Sequence, residues 1–231
     1  MTAPPSAPQQ RTAEFWIEHL KMVPHPEGGY YTEVARSVHK VDNEESNSRF
    51  AYTTIYFLCT PESPSHLHRL CSDETWLFHA GDPLQVHVIL KGSHDDRVAV
   101  PPRAALLEES SRVDAGPQYQ VYQRIRIGSR VEKGELLQYT VPGGAIFGSS
   151  VDSGGADGEA GYSLVSCIVS PGFDFDDFEV FTQAQLMELC PQHEVVIKQM
   201  AYETIPDQER IRTRRRIDNT RLELARRATE T

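Results

Sequence analysis

Residues 65–76 carry the densest group of chemically versatile side chains in the chain, Ser65-His66-Leu67-His68-Arg69-Leu70-Cys71-Ser72-Asp73-Glu74-Thr75-Trp76. On an extended strand, residues two apart point to the same face, so His66 and His68 are expected to converge. Glu74 follows a short turn and begins the next strand, where Trp76 and Phe78 share its face. The segment therefore predicts two adjacent strands that bring imidazole and carboxylate groups to one point.

The segments around this cluster also have the composition of strands. They are rich in β-branched and aromatic residues, and turns containing glycine or proline separate them. The expected strands cover residues 30–34, 52–58, 75–79, 84–90, 119–127, 136–141 and 163–169. The strand at 84–90 shows the alternation of a half-buried strand, with Gln85 and His87 between apolar residues. Many short strands without intervening helices predict an all-β sandwich or barrel.

Helices are expected only near the ends of the chain. Thr12 is a suitable N-cap for a first helix, which must end before Pro24. Later helices are expected at 183–189 and 205–228, packed outside the barrel. The predicted organisation is a disordered lead-in at 1–11, a barrel domain at 12–182 with insertions at 93–116 and 152–161, and a helical C-terminal extension at 183–231.

Charge and composition narrow the class of protein. The formal net charge is −10, which argues against non-specific binding to nucleic acid or anionic lipid. The tail at 207–231 has eight arginines against five acidic residues, and we interpret it as a solvated helix with internal ion pairs. No apolar run is long enough for a membrane helix, and the four cysteines form no C-x-x-C pair. We therefore expect a cytoplasmic protein without disulfides, partnered by neither nucleic acid nor membrane.

Two kinds of chemistry suit the clustered imidazole and carboxylate groups. His66, His68 and Glu74 could supply three ligands to a divalent metal such as Zn, Fe, Mn or Ni. Without a metal, His68 would be a general base that Glu74 holds in tautomer and orientation. Both alternatives place His68 and Glu74 in a pocket inside the barrel.

The spacing of these residues resembles the two signatures of the cupin superfamily. The first signature corresponds to His66-x-His68, Glu74 and Gly81, and the second to Pro142-Gly143-Gly144. A closer resemblance, over about residues 20–179, is to the DUF985 family, also called cupin-5. It is carried by three runs, Pro24-His25-Pro26-Glu27-Gly28-Gly29-Tyr30-Tyr31, Ser72-Asp73-Glu74-Thr75-Trp76 and Pro171-Gly172-Phe173-Asp174-Phe175-Asp176-Asp177-Phe178-Glu179.

The resemblance implies a double-stranded β-helix, that is, a cupin jelly-roll barrel, which is usually a homodimer. It also implies structural kinship with sugar-nucleotide epimerases. The chain departs from the superfamily pattern in two places. The gap between His68 and Glu74 is one residue longer than usual, and Phe147 stands where the second signature has its histidine. The predicted metal site therefore lacks its fourth protein ligand.

From these observations we expect a barrel that binds a small molecule, with a carbohydrate or nucleotide-sugar as the first candidate. Acid–base chemistry of the epimerase or isomerase type would depend on His68 and Glu74. The alternatives are a metal-dependent oxygenase or isomerase and a non-catalytic binding or scaffold module. The expected ligand-binding residues are His25, Glu27, Tyr30, Ser65, Trp76, Phe78 and Phe147. Three phenylalanines, Phe173, Phe175 and Phe178, are expected to anchor the last strand to the outside of the barrel.

Overall fold

The computed structural model describes residues 11–43, 47–91, 106–109, 119–151 and 161–206. Within these ranges there are fourteen strands: β1 (Val23–Pro24), β2 (Tyr30–Arg36), β3 (Lys40–Asp42), β4 (Ser48–Phe50), β5 (Thr53–Cys59), β6 (Ser65–Leu70), β7 (Asp73–Gly81), β8 (Leu84–Lys91), β9 (Leu106–Glu109), β10 (Tyr119–Ile127), β11 (Gln138–Val141), β12 (Ile146–Val151), β13 (Ser163–Ser170) and β14 (Phe178–Val180). The α-helices are α1 (Ala13–His19), α2 (Gln183–Leu189) and α3 (Glu194–Met200). Short 3₁₀ turns lie at Val131–Lys133, Phe175–Asp177 and Pro191–His193.

Twelve of the strands form two six-stranded sheets. One sheet has the order β1-β2-β5-β13-β7-β11, and the other has the order β14-β6-β12-β8-β10-β9. The pairings within both sheets are antiparallel, and the remaining two strands form the hairpin β3–β4. This arrangement confirms the predicted all-β jelly roll of the cupin type, with helices at its N-terminal and C-terminal ends.

The main core lies where side chains of both sheets meet. It contains Phe57 and Trp76 from the first sheet and Val86, Val88 and Phe147 from the second. Burial of apolar side chains at such an interface is the dominant favourable contribution to folding. Strand β8 was predicted to be half-buried, but all its residues except Lys91 are buried. Its outward side is covered as well, because a second apolar cluster packs there.

Helices cover the outer faces of both sheets. Helix α1 begins after Thr12, whose side chain accepts a hydrogen bond from the backbone N–H of Phe15, and its residue Trp16 packs on the first sheet. Helix α2 spans the residues predicted for it and is closed by a capping box between Thr182 and Gln185. Helix α3 was not predicted. In the described part of the chain, no helix has the length and apolar character needed to cross a membrane.

Four predicted segments fall wholly or largely outside the described residues. These are the lead-in at 1–11, the insertions at 93–116 and 152–161, and the helix at 205–228. Within the first insertion the described residues form strand β9, which pairs with β10 at the edge of the second sheet. This part of the predicted insertion is therefore an additional strand of the barrel.

The outer cluster attaches the C-terminal helices to the barrel. Leu186 of α2 is fully buried there, together with Leu67 of β6 and Ile89 of β8. We expect Leu186→Ala to lower the free energy of unfolding by about 2–5 kcal/mol, because it removes buried methyl groups and leaves a cavity. Leu189→Ala on the same helix is the matched control. Its side chain is 37% exposed, so its effect in chemical denaturation should be clearly smaller.

Candidate functional site

A cavity of about 280 Å³ is lined by residues of both sheets. Its polar lining includes His25, Glu27, His68, Glu74 and Cys167, with Glu33, Arg36 and Asp174 nearer the solvent. Its apolar lining includes Tyr31, Ile55, Phe57, Leu70, Val169, Phe173 and Phe175. The cavity thus combines ionisable groups with aromatic walls, as small-molecule sites commonly do.

A bulge in β6 decides which of its side chains enter the barrel. Opposite β12, Ser65 pairs with Ser149 and His68 pairs with Phe147, so β6 has one residue more than its partner between these pairs. Ser65 and His68 are consequently both buried inside the barrel, although they are three residues apart. His66 does not line the cavity, and its ring stacks on Tyr202 at 3.6 Å between centroids.

The loop between β1 and β2 brings two further groups into the cavity, His25 and Glu27. It is closed by a hydrogen bond from the N–H of Gly28 to the carbonyl of His25. It is held against β6 because both the N–H and the Nδ1 of His66 bond to the carbonyl oxygen of Glu27, at 2.7 and 2.8 Å. Gly28 has φ of 103°, and a Cβ there would lie 2.0 Å from the carbonyl oxygen of Pro64. The close approach of loop and strand therefore requires glycine.

Glu27 is the centre of the polar contacts in the cavity. Its Oε1 accepts a hydrogen bond from the Ser65 hydroxyl at 2.8 Å. Its Oε2 lies 3.3 Å from His25 Nδ1 and 3.4 Å from His68 Nε2. Burial alone would raise the pKa of Glu27, but the two imidazoles and the Ser65 hydroxyl outweigh burial and lower the pKa to about 2. Glu27 is therefore a carboxylate at neutral pH.

His68 has a defined tautomer. Its Nδ1 lies 2.8 Å from the carbonyl oxygen of His66, and a carbonyl oxygen only accepts hydrogen bonds, so Nδ1 carries a proton. Burial lowers the pKa of His68 despite the nearby charge of Glu27. In its neutral form the imidazole presents the lone pair of Nε2 beside Glu27, as a general base requires, and a proton taken up there is stabilised by the Glu27 carboxylate.

Glu74 differs from Glu27 in its protonation state. Its side chain is buried, and its Oε2 has no hydrogen-bond partner among the described residues. Burial, and next the charge of Glu27, raise the pKa of Glu74 to about 8. Glu74 is therefore a neutral acid at pH 7. The adjacent Cys167 thiol also remains protonated, because burial raises its pKa well above the ordinary value.

The structure brings His68 and Glu74 into the same cavity but changes the role predicted for Glu74. The carboxylate next to His68 is that of Glu27, so the prediction that Glu74 orients the imidazole is wrong. The predicted metal trio of His66, His68 and Glu74 is also not assembled. The bulge in β6 turns His66 away from the cavity, and among the described residues no three His, Cys, Asp or Glu side chains are arranged to hold a metal ion.

Five of the predicted ligand-binding residues lie outside the cavity lining. Trp76 and Phe147 are buried in the main core, and the ring of Phe147 packs on His68 with 4.2 Å between centroids. Tyr30 packs on the outer face of the first sheet, so that its neighbour Tyr31 is the residue that lines the cavity. Phe78 is half-buried and does not line the cavity. Ser65 lies beneath Glu27 rather than in the lining.

The three phenylalanines predicted on the outside of the barrel pack on its inside. Phe173 and Phe175 line the cavity, and Phe178 lies 5.5 Å from the ring of His68 and 5.7 Å from that of His25. Their segment is held in place because Arg49 of β4 donates two hydrogen bonds to the carboxylate of Asp177, at 2.7 and 2.8 Å. The sequence contains no signal of this inward placement, which depends on a contact 128 residues apart.

The protonation state of Glu74 predicts a characteristic pH dependence of stability. Its pKa is about 8 in the folded protein and near the ordinary 4.5 when unfolded, so between these values the folded protein holds a proton that the unfolded chain releases. The contribution of Glu74 to the free energy of unfolding should therefore fall as pH rises, by up to about 1.4 kcal/mol per pH unit, and level off above pH 8. Chemical denaturation should show the Glu74→Gln variant gaining stability relative to wild type across this range.

Glu188→Gln, which removes an exposed carboxyl group from α2, is the matched control and should follow the wild-type profile. Parallel pH profiles for wild type and Glu74→Gln would show that Glu74 is not a neutral acid in the folded protein.

Comparison with known proteins agrees with the fold. A family model described as "Cupin superfamily (DUF985)" matches residues 14–181. An uncharacterized protein from Saccharomyces cerevisiae is 29% identical over 77% of this chain and 76% of its own length. A hypothetical protein from Leishmania major has 72% identity and a TM-score of 0.72, and a protein from Shewanella oneidensis has 33% identity and a TM-score of 0.64. For each of these two structures, the match covers 84% of this chain and 100% of the other chain. The chain therefore belongs to the DUF985 family of the cupin superfamily.

Proposed function

We propose that this cupin binds a single-ring carbohydrate in its barrel and isomerises or epimerises it by acid–base catalysis. The observation that carries the proposal is the pairing, in one cavity, of a neutral carboxyl group with an imidazole backed by a carboxylate. Two titratable groups whose surroundings push their pKa values apart are the arrangement expected of a general acid and a general base. Here Glu74 is the acid and His68 is the base.

The proton transfers follow from these two roles. In the open-chain form of the sugar, His68 Nε2 removes the proton from a carbon atom next to the carbonyl, and Glu74 donates its proton to the carbonyl oxygen, which gives a neutral enediol. Transfer of the proton from His68 to the former carbonyl carbon, with Glu74 taking the proton of the other hydroxyl, yields the isomer. Return of the proton to the opposite face of the original carbon after the enediol has turned in the cavity, with Glu74 taking back the proton that it gave, yields the epimer. Glu27 lies 3.4 Å from Nε2 and stabilises the imidazolium that forms in between.

The size of the cavity supports a small substrate. About 280 Å³ is at the lower end of the range for ligand sites and suits one sugar ring. Aromatic side chains such as Tyr31 and Phe57 provide apolar walls against which the C–H groups of a sugar can pack. The nucleotide portion of a nucleotide-sugar would have to lie outside the cavity, where Glu33 and Asp174 would repel its phosphates.

Hydrogen exchange with solvent tests the proposed chemistry whichever isomer or epimer is the product. The protein is incubated in D₂O with a panel of aldoses and ketoses, and mass spectrometry measures deuterium bound to carbon. Wild-type protein should introduce deuterium next to the carbonyl of at least one sugar. The variants His68→Gln and Glu74→Gln should be slower by about 10²-fold or more, because each lacks one proton-transferring group.

His79→Gln is the matched control, since His79 lies on β7 like Glu74 but is exposed and should leave the exchange rate unchanged. Wild-type protein that exchanges no member of the panel, or a His68→Gln variant as fast as wild type, would contradict the proposed catalysis.

A second candidate is a binding module without turnover. It is supported by Phe147, which packs an apolar ring against His68 where the superfamily pattern has a histidine. A sugar that raises the melting temperature of the protein, yet never gains deuterium, would favour this candidate over catalysis.

Assembly as a homodimer is a further proposal, based on the family. Sedimentation at micromolar concentration should give twice the mass of one chain, and a mass equal to one chain would contradict it.

A further inference from the structure

The charges around the cavity are unbalanced. Among the described residues that line it, four carry carboxyl groups and one carries a guanidinium group. The guanidinium of Arg36 is already paired, because it donates hydrogen bonds to both carboxylate oxygens of Glu33 at 3.1 and 2.6 Å. This leaves Glu27 and Asp174 as carboxylates without an arginine or lysine among the lining residues, while Glu74 is a neutral acid at pH 7. A positive charge in the cavity would be attracted, and a negative charge would be repelled.

The hydrogen-bonding groups of the cavity are unbalanced in the same direction. His68 Nε2 presents a lone pair 3.4 Å from Glu27 Oε2, since its proton is on Nδ1. His25 Nδ1 lies 3.3 Å from Glu27 Oε2, and its hydrogen bond helps to lower the pKa of Glu27. Apart from this bond and the one from Ser65, the polar atoms that the described residues place next to the Glu27 carboxylate are acceptors.

The unpaired carboxyl oxygen of Glu74 is an independent observation that points to a ligand. Its side chain is 6% exposed, lines the cavity and leaves Oε2 without a hydrogen-bond partner among the described residues. A buried carboxyl oxygen in this state costs about 1–3 kcal/mol, which hydrogen bonding to a bound ligand would recover. The acidic character of the cavity is thus accompanied by an unsatisfied polar oxygen among its lining residues.

The apolar walls suit a cation equally well. Tyr31, Phe57, Phe173 and Phe175 all line the cavity. Aromatic rings attract cations, and the attraction contributes more where water is excluded. A pocket that combines such rings with a buried carboxylate has the two elements by which proteins bind organic ammonium groups.

We infer that the cavity binds a small organic ammonium compound, whose N–H groups satisfy Glu27 and its neighbouring imidazoles and whose carbon skeleton packs against the aromatic walls. The ammonium compound would be the substrate class of the same cavity in which the proposed acid–base chemistry takes place. The inference rests on the proposed function only for the claim that the bound compound is converted. An amino sugar satisfies both proposals. A simple cyclic amine satisfies this one alone.

Three probes with the same ring and different charge test the inference directly: cyclohexylammonium, cyclohexanol and cyclohexanecarboxylate. Binding is measured by isothermal titration calorimetry at pH 7. The ammonium compound should bind at least about tenfold more tightly than the alcohol, and the carboxylate should bind most weakly. Binding of the cation should also release protons from Glu74, because a positive charge favours its ionised form. Titrations in buffers of different ionisation enthalpy measure this release.

Two variants identify the source of the preference. Glu27→Gln should remove most of the difference between ammonium and alcohol, whereas the exposed Glu188→Gln should retain it. Phe173→Leu keeps the cavity apolar but removes one ring. It should weaken ammonium binding about threefold and leave alcohol binding nearly unchanged, so that the inference stays testable if Glu27→Gln fails to fold.

The inference is overturned if the alcohol or the carboxylate binds as tightly as the ammonium compound, or if ammonium binding is absent up to about 10 mM. These results are distinguishable from failure of the proposed function. Ammonium selectivity without deuterium exchange in any sugar would retain the cation site and reject the catalysis. Deuterium exchange without ammonium selectivity would retain the catalysis and reject the cation site.

Discussion

The site depends on the attachment of the loop carrying Glu27 to strand β6. The carbonyl oxygen of Glu27 accepts two hydrogen bonds from His66, and its side chain accepts one from Ser65. These bonds connect residues 38 and 39 positions apart and place a carboxylate in an apolar interior. A buried charge of this kind is stable only while its partners are in place. Loop geometry, strand geometry and the ionisation state of the cavity are therefore linked.

The charge on Glu27 in turn determines how its neighbours titrate. It raises the pKa of Glu74 beyond the effect of burial and thereby maintains a neutral acid in the same cavity as a neutral imidazole. Two carboxyl groups in one cavity thus take opposite protonation states. Glu27 is ionised because Ser65 and two imidazoles lie beside it, whereas Glu74 is protonated because it is buried with one oxygen unpaired. The same asymmetry makes the cavity rich in hydrogen-bond acceptors and attractive to cations.

His66 has a structural role that differs from the one its sequence position indicates. Its imidazole bonds to the Glu27 carbonyl and stacks on Tyr202, whose hydroxyl also donates to the carbonyl of Pro26 at 3.4 Å. The residues after α3 therefore contact the loop from the side opposite the cavity. Among the described residues, Tyr202 thus contacts the loop through both His66 and Pro26, and a change at Tyr202 reaches Glu27 through two contacts, Tyr202 to His66 and His66 to Glu27.

The sequence alone determined the fold and the family, because alternating apolar residues, turn residues and three separated motifs are local signals that one chain displays directly. It also identified His25, Glu27, His68 and Glu74, all of which line the cavity. Only the tertiary structure decided which of them meet. One extra residue in β6 reverses the side to which His66 points, and a salt bridge between Arg49 and Asp177 holds a segment whose phenylalanines pack inside the barrel. Both effects arise from pairing between distant segments. Strand periodicity contains no information about such pairing, because it relates a residue only to its neighbours along the chain.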